Sequence, residues 1–386
     1  MSYLLSIVVP IKNNYSCLKS IIDKVITMNG DETELVIQDN TENNSEIKEY
    51  LAHIKASFIK YYHYPKGIAM SENFNLGILN STGRYLCILG ADDNVSSKLL
   101  NVAKYLDQNN YEAAVFHKAS YYWLDMKFRA HKKRPNLVIP KCAGEIFKLN
   151  AEEELKRLLK QGMTSLGKLP EPYQGIVKRD TLQKVYKLTG NFVPGACPDM
   201  AMAVALSQVI KSYIFIDVPI TISGQSYNSA GGKGARGEHK GQLKDMNFLP
   251  SSIEKTWPSQ IPKIWTGATI YADSAHSALI AVGEFDKFEK FNYAANYANL
   301  ISFFPEYWNL VKPFIKKNVK LQIKTSIYIV RIFFKRLYMY IKNWITANFH
   351  VSRDNLFYDV KTSLEASELV DNYIDTYFSE KEYLKY

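Results

Sequence analysis

The sequence predicts an α/β chain: a Rossmann-like parallel sheet in its first part, a second half built on it, and a mainly helical end. Three observations predict this. Short apolar runs alternate with amphipathic stretches from Leu4 to His117, and such alternation builds right-handed βαβ units. Each run stops at turn chemistry: Pro10, Gln38-Asp39-Asn40-Thr41, Pro65-Lys66-Gly67 and Gly90-Ala91-Asp92-Asp93. After Pro313 the chain has neither Gly nor Pro, as long helices require.

Leu4 to Val9 is an uninterrupted apolar run closed by Pro10, a buried strand. Tyr15 to Met28 puts Leu18, Ile21, Ile22, Val25 and Ile26 on one helical face. Glu34 to Ile37 is the second strand, Asn44 to Ile54 a helix and Phe58 to Tyr64 the third strand. Ala69 to Leu79 is helical despite Gly77. Tyr85 to Leu89 is too short for a helix and reads as a fourth strand, followed by a helix from Ser97 to Asp107 and a strand from Ala113 to His117.

Beyond Ser120 the alternation loosens. Tyr121-Tyr122-Trp123 is an aromatic cluster and His131-Lys132-Lys133-Arg134 a basic one. Glu152 to Gln161 forms an amphipathic helix, and Tyr173 to Lys178 reads as an edge strand. Pro198-Asp199 opens the apolar helix Met200 to Ile210, an ordinary helix start. Ser223 to Gly241 is the most glycine-rich stretch and reads as a mobile loop. Three regions result: 1–118, 119–250 with the loop 223–241, and 251–386.

No acidic residue lies between Glu306 and Asp354. On a helix spanning about 314–346, Lys317, Lys320, Lys324, Arg331, Lys335 and Lys342 fall on one stripe, with Ile315, Val319, Phe333, Leu337, Tyr340 and Trp344 opposite. That is the pattern of a helix lying on an anionic membrane.

The net charge of +10 and pI near 9.1 favour an anionic partner. Four scattered cysteines fit neither a zinc site nor a disulfide framework. There is no basic leader ahead of the first apolar run and no membrane-spanning run, so a cytoplasmic location is expected, peripheral on the inner membrane face. The first strand is not followed by GxGxxG or by a P-loop, so phosphates must be held otherwise. Asp92 and Asp93 lie past the carboxyl end of a buried strand, where α/β sheets bind ligands. Adjacent carboxylates repel, and a hard cation such as Mg²⁺ or Mn²⁺ would relieve them.

The order Pro10, Asp39, Ser71-Glu72-Asn73-Phe74-Asn75, then Thr82-Gly83-Arg84-Tyr85 into Leu89-Gly90-Ala91-Asp92-Asp93 resembles the family 2 glycosyltransferases of the GT-A fold. The resemblance runs through residues 4–118 and more loosely through 170–245. It implies an inverting transfer of a sugar from a nucleotide-diphosphate donor, usually UDP-linked. The acceptor would be a glycan or lipid-linked hydroxyl in capsule, O-antigen or lipopolysaccharide synthesis. It places Pro10, Lys12, Asn13, Lys66, Gly67, Asn73, Ala91 and Asp92 around the donor, with Asp39 on the base. Asp92, Asp93 and His239 would hold Mg²⁺ or Mn²⁺. Lys233, Arg236 and His239 would serve the diphosphate, and Asp199 would be the catalytic base. Tyr122, Trp123, Tyr173 and Gln174 would build the acceptor side, where aromatic faces suit sugar rings. The sequence departs from the family at Gly90, where the first Asp of DxD stands, at Gln38 and at Lys12. The alternative is a non-catalytic protein that binds nucleotide-sugars or an anionic polymer; nucleic acid is not expected.

Overall fold

The structure is a computed structural model and describes residues 3–126, 134–349 and 354–385. Residues 131–133 of the basic cluster lie outside the described residues. The first half alternates as expected: β1 (Leu5–Ile11), α1 (Tyr15–Ile26), β2 (Thr33–Asp39), α2 (Ser45–Ala52), β3 (Ile59–His63), α3 (Met70–Leu79), β4 (Tyr85–Ile88), β5 (Asn94–Val95) and α4 (Leu99–Gln108). Strands β3-β2-β1-β4 run parallel in that order. In β1, Leu5, Ile7 and Val9 point to one apolar layer and Val8 to the other. A strand buried on both faces reads as a continuous apolar run, which is why the sequence shows one.

The second half comprises β6 (Ala113–Tyr122), β7 (Leu137–Ile139), β8 (Ile146–Asn150), α5 (Ala151–Lys160), β9 (Ile176–Lys178), α6 (Arg179–Thr189), α7 (Pro198–Val209) and β10 (Ser212–Gln225). Strand β10 lies parallel along β6 and antiparallel to β8 and β5. Strand β9 is antiparallel between β4 and β6. It is therefore an interior strand rather than the expected edge. Its Ile176 and Val177 are fully buried, which three residues of sequence do not reveal.

The glycine-rich stretch also differs from expectation. Strand β10 continues to Gln225, and α8 (Ala230–Ala235) follows, capped by Ser229. The Ser229 hydroxyl accepts from Gly232 N, which nucleates a turn that glycine content alone disfavours.

The remainder is β11 (Gly241–Gln242), α9 (Ile253–Thr256), β12 (Ile264–Trp265), α10 (Gly267–Ala281), α11 (Tyr293–Phe303), α12 (Trp308–Lys316), α13 (Val319–Phe349), β13 (Asn355–Phe357) and α14 (Ser363–Phe378). The basic helix expected at about 314–346 is broken into α12 and α13 around Lys317 and Asn318. The Asn318 side chain accepts from Lys320 N and starts α13 afresh. No helix among the described residues is long and apolar enough to cross a membrane.

The chain's end returns to the first half. Strand β13 pairs with β7, and α14 joins the apolar layer of α1 and α4. Asp371 of α14 accepts from Lys24 Nζ at 2.6 Å, Ser96 Oγ at 2.5 Å and Ser97 N at 3.0 Å. Asn94 donates to Ser363 Oγ and Ser20 O. The loop carrying Asp92 is thus tied to α14. Lys24 is almost fully buried, so Asp371→Ala would strand its charge. Loss of one partner of a buried ion pair costs about 3–5 kcal/mol. A urea-unfolding midpoint lowered accordingly is the expected result.

Candidate active site

The carboxyl ends of β1, β2 and β4 meet the end of β10, and this junction gathers the residues singled out above. Between β1 and α1 stand two consecutive left-handed residues, Asn13 at φ 63° and Asn14 at φ 65°. Asn13 N donates to Thr41 Oγ1 at 2.7 Å. Asn14 Nδ2 donates to Ser226 Oγ at 3.1 Å. Asn is the non-glycine residue that best tolerates this conformation. Lys12 and Asn13 are exposed at the mouth, Pro10 is buried beneath them, and Ala91 is half-buried. Lys66 and Gly67 lie exposed on the loop after β3.

Asp92 is the centre. Its Oδ2 accepts from Ser226 N at 2.9 Å and Ser226 Oγ at 3.2 Å. Its backbone oxygen accepts from Trp123 Nε1 at 3.0 Å. Asp93 is fully enclosed: Oδ1 accepts from Gly224 N at 2.8 Å, and Oδ2 from Gly90 N at 2.7 Å and Tyr173 OH at 3.1 Å. Burial pushes the Asp92 carboxyl above its ordinary range. Burial, then the neighbouring Asp92, pushes Asp93 up to about 7.

Gly90 stands where the resembled family carries the first Asp of DxD, and the space for a side chain there is small. A Cβ there would sit 2.9 Å from Tyr173 OH and 3.1 Å from Asp93 Oδ2. Gly224 is held more tightly still, since a Cβ would fall 1.6 Å from the Asp92 carbonyl oxygen. Gly224→Ala must push the Asp92 backbone aside. Overpacking of this kind costs about 1–3 kcal/mol or more, so thermal unfolding should move down and activity should fall together.

Asp39 is corrected. It is fully buried, with Oδ1 accepting from Thr41 N at 2.8 Å and Oδ2 from Tyr15 OH and Tyr61 OH, each at 2.7 Å. It anchors two tyrosines and is not open to a nucleobase. Asn73 is also internal: its Nδ2 donates to Ile11 O and Gln38 O, both at 3.3 Å, and braces the ends of β1 and β2. Gln174 is buried in the left-handed region at φ 56°, so it cannot meet an acceptor. Tyr173 and Trp123 are half-buried and already serve Asp93 and Asp92. Tyr122 is half-buried at the end of β6.

Arg236 is committed within its own segment. It pairs with Glu238 at 2.5 Å, donates to Tyr227 O at 2.6 Å and lies over the Tyr227 ring. Lys233 remains exposed. The His239 ring packs between Phe248 and Trp265. Burial, then Lys233, holds its imidazole below the ordinary range. Among the described residues no set of three ligating side chains forms around Asp92, so His239 does not complete a site with Asp92 and Asp93.

The residues nonetheless fit a hard divalent cation at Asp92. Its neighbour Asp93 has both oxygens filled by protein donors and acts as a positioning group. Mg²⁺ and Mn²⁺ bind through one or two carboxylates plus substrate phosphates, which one anchored carboxylate at the mouth can supply.

Asp199 begins α7. Its Oδ1 accepts from Met200 N and Cys197 Sγ, each at 2.8 Å, and its Oδ2 from Tyr271 OH at 3.2 Å. It is half-buried. The charge of Asp199 reaches Tyr173, which also feels Asp92 and Asp93, so the three acids share one neighbourhood.

Three residues at this site carry no motif. Ser226 and Asn14 are single polar residues in loops. Glu171 lies between Pro170 and Pro172. It is paired with Lys118 at 3.2 Å, and its Oε2 is buried without a partner among the described residues. Burial raises Glu171 to about 7, with Asp199 adding and Lys118 opposing.

Asp273 of α10 is fully buried and neither oxygen has a partner among the described residues. Burial alone raises it to about 7. Its folded value lies above its unfolded one, so its contribution is fully present below about 4 and is lost as pH rises to 7. That loss is roughly 4 kcal/mol. Asp273→Asn should therefore be more stable than the parent at pH 8 and show a flatter stability profile between pH 5 and 8 by chemical denaturation.

Residues 6–164 match the family model described as "Glycosyl transferase family 2". No curated protein sequence matches the chain. Among solved structures, S. aureus TarS 1-349 in complex with UDP-GlcNAc is similar at 10% identity and TM-score 0.46, covering 83% of this chain and 78% of that one. A mannosyltransferase from Pyrobaculum calidifontis in complex with GDP-Man and Mn²⁺ is similar at 14% identity and TM-score 0.39, covering 88% of each. Against the longer S. aureus TarS structure the match has a TM-score of 0.40 at 12% identity, and the chain spans 37% of that length.

Proposed function

We propose, for a chain whose residues 6–164 belong to glycosyl transferase family 2, that it moves a sugar from a nucleotide-diphosphate donor to a hydroxyl acceptor with inversion. The observation that carries this reading is Asp92, anchored by Ser226 at the carboxyl ends of the parallel strands, with Asp199 near enough for its charge to raise the Tyr173 hydroxyl that donates to Asp93. Asp199 takes the proton of the acceptor hydroxyl. The acceptor oxygen bonds the anomeric carbon as the bond from that carbon to the diphosphate oxygen breaks. The diphosphate leaves with both electrons of that bond. A divalent cation on Asp92, Mg²⁺ or Mn²⁺, would neutralise charge on the diphosphate. Lys12 and Lys233, both exposed, are the cations nearest in role to the leaving group.

The donor proposed is a UDP-sugar. The acceptor is a glycan or lipid-linked hydroxyl in capsule, O-antigen or lipopolysaccharide assembly. With Asp39 enclosed by Tyr15 and Tyr61, base selection falls to groups other than that carboxylate. On the same proposal the chain works at the cytoplasmic surface of an anionic membrane, held there through α13. A panel of UDP-, GDP- and CDP-sugars, scored by nucleotide release with and without acceptor, tests the reading. Turnover with one UDP-sugar supports it. Nucleotide binding without turnover across the panel would instead favour a non-catalytic binding protein.

A further inference from the structure

We infer that the groove between α13 and the body of the protein seats the phosphate of an anionic membrane lipid, an inference that rests on the membrane reading of α13. Helix α13 packs inward through Leu321, Thr325, Tyr328, Ile329 and Ile332, which are buried or half-buried. Arg336 fastens it to α11 by donating to Ser302 O at 2.9 Å. The outward face is apolar: Ile323, Val330, Phe334, Tyr338 and Ile341 are each about half exposed or more. An arc of large apolar side chains facing water on one helix is the signature of a surface that is covered in use.

The basic stripe sits between these faces, and the fold gives it partners that periodicity could not show. Lys324 and Arg331 converge with Lys160, at the end of α5, and Lys290 around an open cavity of about 410 Å³. Among the described residues no carboxylate lines it. None of the four cations pairs with a carboxylate among the described residues. Asn292 Nδ2 fixes the wall by donating to Lys160 O at 2.9 Å and Tyr328 OH at 2.8 Å. Four converging cations repel one another unless an anion enters. Ile327 lines this cavity and is also exposed beside the outward apolar face. A phosphate in the groove would therefore leave its acyl chains directly on apolar surface, which favours a lipid over a soluble phosphate. A symmetric contact with α13 of a second copy is a poorer occupant, because residues 307–353 hold no acid to meet the cations.

Vesicle flotation of the full chain tests this. The vesicles are phosphatidylcholine alone, or doped to equal surface charge with phosphatidylglycerol or with phosphatidic acid, whose phosphate is terminal and unshielded. The parent should bind both anionic vesicles at least about tenfold better than the neutral ones and prefer phosphatidic acid. K160Q/K290Q, which leaves α13 intact, should erase that preference. K335Q/K342Q, outside the groove, should weaken both anionic cases equally. F334N/I341N should abolish binding to all. Retention of the phosphatidic acid preference in K160Q/K290Q would overturn the groove while leaving the membrane reading standing. Parent protein that floats with no vesicle, or a dimer broken by F334N/I341N, would overturn both. Inorganic phosphate bound as tightly in the absence of vesicles, and lost in K160Q/K290Q, would overturn the lipid as its source. Sugar transfer to a soluble acceptor should be unchanged in K160Q/K290Q throughout.

Discussion

Asp92→Asn is expected to reduce nucleotide-sugar turnover by about 10²–10³-fold, the usual cost of removing one preorganised electrostatic group, while leaving the fold as stable as before or more so. The two halves of that expectation have separate causes. Burial raises the Asp92 carboxyl, so in the free protein the charge is a burden that a neutral side chain removes. The amide keeps an oxygen for Ser226 N and Oγ, now 2.9 and 3.2 Å from Oδ2. What it loses is the negative charge that a cation and a diphosphate need. Asp93→Asn should behave in the opposite way. Asp93 accepts from Gly224, Gly90 and Tyr173 through both oxygens. An amide would turn one of those oxygens into a donor facing a donor, which costs about 1–3 kcal/mol. Paired unfolding and turnover assays on the two variants separate a ligand from a positioning group.

Asp199→Asn is expected to lower kcat by about 10²–10⁴-fold, the range for loss of a general base, with donor affinity unchanged. On the proposed function Asp199 serves the acceptor and not the donor, so donor binding is expected to be unaffected; the residue lies in the first turn of α7. The fold should survive, since the amide oxygen can still accept from Met200 N and Cys197 Sγ. Its NH₂ group can donate to Tyr271 OH, which now donates to Oδ2 at 3.2 Å. Full activity in this variant would move the base elsewhere, and Glu171, buried beside it and raised to about 7, is where to look. Initial rates against acceptor, with donor affinity measured separately, decide the matter.

Much of the fold was legible because its signal is local. Four of the strands before residue 118 announce themselves as short runs ended by Pro, Asp or Gly. Their order places Asp92 at the sheet's mouth without any structure. What failed was non-local. Asp39 reads as an open acid at a strand end; its enclosure depends on Tyr15 and Tyr61, two hydroxyls from different elements. Ser226 and Asn14 meet across 212 residues of sequence and have no spacing relation to Asp92. The glycine-rich stretch reads as a loop because composition does not show that Ser229 caps α8. The three-residue β9 becomes an interior strand only because β4 and β6 leave a place for it. Asp371 and Ser363 hold the Asp92 loop from the far end of the chain, a tie that no window of sequence can display.

The central claim is that Asp92 anchors a diphosphate through a divalent cation. Calorimetric titration of UDP into the parent and Asp92→Asn proteins, with Mn²⁺ and with EDTA, tests it most directly. Mn²⁺ is expected to tighten UDP binding to the parent at least about 100-fold, or about 2.7 kcal/mol, and to leave binding to Asp92→Asn unchanged. Equal Mn²⁺ enhancement in both proteins would contradict it.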